Sequence, residues 1–181
     1  MYSNLKTKFN SKEISIYGLF IALVYIATTI NIQIGPTSGG LFHLGNVMSF
    51  TIALVFGKKA GAISGGIGMA LFDILSPYAI WAPFTLVIRL IMGYVIGYFA
   101  FKASSNKKQS IINNTFGLVI SFIIMIIGYY IAEGIIYGNW IVPIQSVFAN
   151  ILQCIIGSIL AVPVSVALRA GFRIRHIKTE I

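Results

Sequence analysis

Six stretches of this sequence are almost free of charge and close to the length that crosses a lipid bilayer. They run over about 11–34, 42–56, 60–75, 82–101, 111–136 and 142–168. A helix spans the hydrocarbon core with about 20 apolar residues. Hydrocarbon offers no partner to a backbone N–H or C=O, so each stretch must satisfy its own, which favours helices. Charge content supports the same reading: 9% of residues are charged, against about 25% in a typical soluble domain. So little charge cannot cover a water-facing surface. The sequence therefore predicts an all-α integral membrane protein, a bundle of six transmembrane helices forming one domain over 1–181. No room is left for an ATPase or nucleic-acid module.

The basic residues orient the bundle. With the N-terminus inside, the inner segments 1–12, 57–60, 102–110 and 169–181 hold 12 of the 13 Lys and Arg residues. The outer loops 35–42, 76–81 and 137–141 hold none, and Arg89 lies within a helix. Cytoplasmic loops carry the basic excess, so both termini are expected in the cytoplasm. A five-helix arrangement would put Lys58 and Lys59, or the C-terminal tail, outside. The net charge of +9 is thereby explained without nucleic acid. Lys6, Lys8 and Lys12 before an apolar stretch suggest a signal peptide, but that stretch is too long for one and lacks a clear cleavage site. The only cysteine, Cys154, excludes an intrachain disulfide.

Turn residues punctuate the runs: Gly35-Pro36-Thr37-Ser38-Gly39-Gly40, Ser76-Pro77-Tyr78 and Gly138-Asn139-Trp140. Small residues recur four apart at Gly18 and Ala22, at Gly57, Gly61 and Gly65, at Gly93 and Gly97, and at Gly157 and Ala161. Such faces let helices approach closely in lipid. Each serves either internal packing or the docking of another membrane subunit.

Ionisable groups at membrane depth are costly and mark function by default. Asp73, Arg89, Glu133 and His43 are the candidates here, all in the expected outer half. Asn46, Trp81, Tyr130, Tyr137, Asn139, Trp140, Gln145, Asn150 and Gln153 share that half. Asn150 and Gln153, three apart, share one helix face. Simpler roles exist: Asp73 and Arg89 as a structural ion pair, Trp81 and Trp140 as interfacial belt residues, Glu133 at headgroup level, and His43 at a helix start. Two amides on one buried face still need partners, and a polar ligand supplies them as well as a neighbouring helix does.

Enzyme signatures are missing. The sequence has no HExxH, no GxSxG, no GxxxxGK[ST] loop and no metal-ligand spacing. His43 and His176 fall on opposite sides of the expected bundle. No cofactor or metal is expected. An outward polar cluster in a short-helix bundle reads as a binding site for a small polar solute. The glycine-rich loop 35–41 is suited to cover it.

The segments Gly39-Gly40-Leu41-Phe42-His43-Leu44-Gly45-Asn46, Phe56-Gly57-Lys58-Lys59-Ala60-Gly61-Ala62, Ala70-Leu71-Phe72-Asp73-Ile74-Leu75-Ser76 and Trp81-Ala82-Pro83-Phe84-Thr85 resemble the substrate-binding S components of energy-coupling factor (ECF) vitamin transporters. Within that group they are similar to the hydroxymethylpyrimidine or pyridoxine branch. The resemblance implies a plasma-membrane transport subunit, not an enzyme, that captures a vitamin near the outer side. It implies docking onto a transmembrane coupling subunit with two cytoplasmic ATPases, followed by toppling to release the vitamin inside. Gly18 and Ala22 match the small-residue pair that faces the coupling subunit, with Gly where Ala is usual. By location, the ligand contacts implied are His43, Asn46, Trp81, Arg89, Tyr130, Glu133, Asn139, Gln145, Asn150 and Gln153. An unpaired Arg89 favours an anionic cargo such as pantothenate, and an Arg89 paired to Asp73 a neutral one. The competing readings are an S component for another vitamin, a stand-alone facilitator, and a small lipid-directed enzyme. A facilitator would need a continuous polar path, which the inner helix halves lack.

Overall fold

A computed structural model describes residues 11–33, 41–102 and 107–174. Five helices carry the fold: α1 (Ser11–Thr29), α2 (Gly45–Ile74), α3 (Ala82–Ala100), α4 (Lys107–Tyr137) and α5 (Pro143–Ile174). All five are long and apolar enough to cross a membrane. Their surfaces fit that role. Large aliphatic side chains such as Ile14, Leu19 and Ile26 on α1, and Ile123, Ile127 and Ile131 on α4, point outward. The inward faces hold the polar residues, the reverse of a protein solvated by water.

The first helix is shorter than expected. It stops at Thr29 instead of continuing to 34, and Asn31–Gln33 (β1) pairs antiparallel with Leu41–His43 (β2), Asn31 opposite His43. The reason is local. The Asn31 side-chain amide donates to the Thr28 and Thr29 carbonyls, each at 3.0 Å, satisfying acceptors that a helix end leaves free. Beyond that point Ile-Asn-Ile-Gln-Ile alternates with the period of a strand. The expected second helix accordingly begins at Gly45, not at Phe42. Residues 35–40 of the expected covering loop lie outside the described residues.

The expected second and third helices run on as α2, interrupted at one residue and not by a loop over 57–59. Gly57 has φ +88° and ψ −171°, a conformation a Cβ disfavours. The chain reverses there. A Cβ built at Gly61 would press on Ala53, and one at Gly65 would lie 2.5 Å from the Ser49 hydroxyl. Contacts at 53–61 and 49–65 are symmetric about 57, so the halves of α2 lie antiparallel. A 3₁₀ turn (Ala79–Trp81) leads into α3, with Pro83 in its first turn, where a missing N–H costs little. Gly138, at φ +61°, starts the turn from α4 to α5.

The small-residue faces sort by partner. Gly93 packs against the Gly61 backbone, Gly97 against Gly57 and Lys58, and Gly65 and Gly66 against the α3 backbone. Gly157 meets Asn46, and Ala161 is fully buried. Those pairs serve internal packing. Gly18 differs: a Cβ there would meet nothing within 4 Å, and Gly18 and Ala22 lie on an exposed face of α1.

Candidate functional site

A cavity opens at the end of the bundle away from Gly57, with a volume of about 40 Å³. It takes its walls from all five helices and from β2. Thr28 comes from the end of α1 and Leu41 and His43 from β2. Met69 and Asp73 come from the second half of α2, Tyr78, Trp81, Thr85 and Arg89 from the 3₁₀ turn and α3, Tyr129 from α4, and Asn150 and Gln153 from α5. The opposite end carries Lys58, Lys59 and Lys102 around a groove of about 500 Å³ that includes Gly57 and Gly97. Polar recognition and basic surface thus occupy opposite poles.

Arg89 organises the cavity. It is 3% exposed and its guanidinium is held by neutral partners. Nε donates to the Tyr129 hydroxyl at 3.1 Å, and one terminal nitrogen donates to Asn46 Oδ1 at 2.6 Å and approaches Met125 Sδ at 3.3 Å. The guanidinium carbon also lies 5.1 Å from the Tyr129 ring centre, within cation–π range. The Tyr129 hydroxyl in turn donates to Thr85 at 3.2 Å. None of these bonds goes to Asp73. The structural ion pair considered from the sequence is therefore not a hydrogen-bonded one.

Asp73 lines the same cavity and is 7% exposed. Its Oδ2 is buried without a hydrogen-bond partner. His43 accepts from the Gly45 amide at Nδ1, 3.1 Å away, and the Gln153 carboxamide lies 2.9 Å from Nε2. Burial, and then the positive charge of Arg89, hold the His43 pKa well below 6.5. The ring is thus neutral at physiological pH, able to offer one donor and one acceptor. Trp81, 4% exposed, tilts against Tyr129 and Tyr137 at 6.4 and 6.1 Å between ring centres. It is inside the bundle and not in an interfacial belt; the exposed Trp140 fits the belt better.

Of the residues singled out from the sequence, His43, Asp73, Trp81, Arg89, Asn150 and Gln153 line the cavity. Asn46 stands one layer behind, bracing Arg89. Four others lie elsewhere. Tyr130 donates to the Trp140 carbonyl at 2.8 Å, and Asn139 caps the turn by accepting from the Ile141 amide at 2.7 Å. Gln145 faces outward. Glu133 is fully buried between α4 and α5, where Oε2 accepts from Ser146 at 2.7 Å. Thr28, Met69, Tyr78, Thr85 and Tyr129 line the cavity without having been singled out. Thr28 was the most legible of these, since it continues the buried Tyr17, Phe20 and Val24 stripe of α1.

The arrangement is that of a membrane-embedded receptor for a small polar solute. Charged, amide and imidazole groups surround a space with an aromatic wall, and no cluster of metal-ligating side chains occurs among the described residues. The chain belongs to the ECF-type riboflavin transporter S component family, whose model matches residues 8–170. It is thus a transport subunit of the plasma membrane that works with an ECF module, and not an enzyme. Among curated relatives, it is 28% identical over 153 residues to the thiamine precursor transporter HmpT of Lactococcus lactis, covering 84% of each chain. It is 32% identical over 125 residues to an uncharacterized protein in a gap 3′ region of Pyrococcus woesei, covering 69% of this chain and 80% of that one. A solved S component of a bacterial ECF transporter superposes with a TM-score of 0.66 at 23% identity, over 89% of this chain and 96% of that structure. That likeness carries the fold alone.

Proposed function

We propose that this chain captures hydroxymethylpyrimidine, or a closely similar single-ring thiamine precursor, at the outer face of the plasma membrane. The observation that carries the reading is the cavity itself: Arg89, Asp73, His43, Asn150 and Gln153 converge beside Trp81 and Tyr129. Amide, carboxylate and imidazole groups match the ring nitrogens and hydroxyl of such a compound, and the aromatic wall matches its face. The thiamine-precursor role of HmpT, at 28% identity, favours the same cargo. Size favours it over riboflavin. A cavity of about 40 Å³ holds roughly three waters. Either ligand needs the walls to move, and a single ring needs less movement than three fused rings. Pyridoxine, the other member of the branch, has no comparable support.

In this reading the chain is one membrane domain that crosses six times, the halves of α2 each crossing once, with both termini cytoplasmic. The distribution of 12 basic residues on one side supports it. Transport requires docking onto a transmembrane coupling subunit served by two cytoplasmic ATPases. Gly18 and Ala22 are the contact, since among the small-residue pairs theirs alone is left uncovered. The test is titration of purified, folded protein with hydroxymethylpyrimidine, pyridoxine, thiamine, riboflavin and pantothenate. One-to-one binding of hydroxymethylpyrimidine ahead of the others is expected. Tighter binding of riboflavin or pantothenate would refute the cargo assignment.

A further inference from the structure

Asp73 poses a question that the fold does not answer. A carboxylate oxygen removed from water without a hydrogen bond is expensive. Asp73 Oδ2 is in that state. No hydrogen bond joins it to Arg89, which donates through Nε to Tyr129 and through one terminal nitrogen to Asn46. Thr85, whose hydroxyl accepts from Tyr129 at 3.2 Å, lines the same cavity. Asp73 is thus a wall of the cavity with one acceptor left over.

We infer that Asp73 is the specificity-determining residue of this site, its free carboxylate oxygen accepting a hydrogen bond from an exocyclic amine on the ligand ring. The inference rests on the cargo reading above and sharpens it. Arg89 and Asp73 line the same cavity as a cation and a carboxylate that no hydrogen bond joins. A ring edge that places an N–H donor beside a ring-nitrogen acceptor is complementary to such a divided pair. An aminopyrimidine has that edge. A carboxylate-bearing solute would bring like charge to Asp73, and a ring lacking the donor would leave the oxygen as unsatisfied as before. Sites built around a buried hydrogen-bonding group reject analogues that lack the matching group strongly.

The experiment compares two probes on three proteins. The probes are 4-amino-5-hydroxymethyl-2-methylpyrimidine and the same pyrimidine without its amino group. The proteins are the parent chain, Asp73→Asn and Asp73→Leu, each in detergent or nanodiscs with ligand-free melting recorded. The parent is expected to bind the amino compound at least tenfold more tightly than the des-amino one. Both variants should reduce that preference to threefold or less, chiefly by losing affinity for the amino compound. Ligand-free variants should melt no lower than the parent, because an unsatisfied buried carboxylate has been removed, and this also shows that they fold. A parent preference retained in both variants would overturn the assignment of Asp73. Variants melting well below the parent would mark Asp73 as structural and overturn it too. Failure of the parent to bind either pyrimidine would instead overturn the cargo reading, and this inference with it.

Discussion

The contact between the second half of α2 and α3 makes a sharp prediction about Gly93→Ala. A methyl group at residue 93 would lie 2.7 Å from the Ala62 amide nitrogen and closer still to the Gly61 carbonyl, where ordinary contact begins at 3.4 Å. These are backbone atoms and have no rotamer to escape into, so the helices themselves must separate. Overpacking of this kind costs about 1–3 kcal/mol. The upper part of that range applies, because separation also opens the neighbouring contacts at Gly65, Gly66 and Gly97. For a chain of this size about 2–3 kcal/mol lowers the melting temperature by roughly 5–10 °C. The control is the same substitution on the outer face. Gly18→Ala meets nothing within 4 Å and gains about 1 kcal/mol of helix propensity, so it should melt at or slightly above the parent temperature. Both are read by tryptophan fluorescence during heating of detergent-solubilised protein. A Gly93→Ala protein that melts within 1–2 °C of the parent, or a Gly18→Ala protein that melts as low as Gly93→Ala, would refute the packing argument.

Three further outcomes are expected. Replacing Gly18 and Ala22 together by Leu should leave ligand affinity within about twofold, yet abolish co-purification with the coupling subunit and ATPases; unchanged co-purification would remove α1 from the docking surface. Asn150→Ala should weaken ligand binding about tenfold or more, the cost of losing a buried hydrogen-bonding partner, whereas Gln145→Ala on the outward face should bind like the parent; equal affinities for the two variants in a calorimetric titration would contradict this placement. The pH dependence has a definite sign. Because the folded chain holds His43 well below 6.5, the unfolded chain binds more protons once pH drops below 6.5. The stability linked to this residue is therefore complete above that value and falls by up to about 1.4 kcal/mol per unit beneath it. A His43→Gln protein should show a correspondingly flatter melting profile between pH 6.5 and 5, and identical profiles would show that the ring is not linked to folding.

Position along the bundle was legible in the sequence; rotation about each helix axis was not. Hydropathy runs and the positions of Gly, Pro and Lys locate where a chain enters and leaves lipid, and the polar residues chosen by that logic fall near one end of the bundle. Which of two neighbours points inward depends on how the helix is turned against its partners, and consecutive residues differ by about 100°. Tyr129 and Tyr130 show the consequence. They have the same chemistry and nearly the same depth, but Tyr129 braces Arg89 while Tyr130 reaches back to Trp140. Glu133 and Gln145 illustrate the same point: the first turns into the α4–α5 seam toward Ser146 and the second outward, which depth alone does not distinguish. The join at Gly57 was misread differently. Lys58 and Lys59 suggest a loop of several residues, but glycine reverses the chain alone, so both lysines already belong to helix.

The seam between the halves of the bundle also bears on how such a sequence can drift. At Gly61 and Gly93 the two backbones leave space for a hydrogen atom and little more, so selection has one residue to choose there. On the lipid-facing side of α4 the requirement is only oiliness, and Ile, Val, Leu and Phe are interchangeable. Homologues should therefore keep a sparse skeleton of glycines beneath a freely exchanged apolar coat. Overall identity is then a poor gauge of how much of the architecture two such chains share.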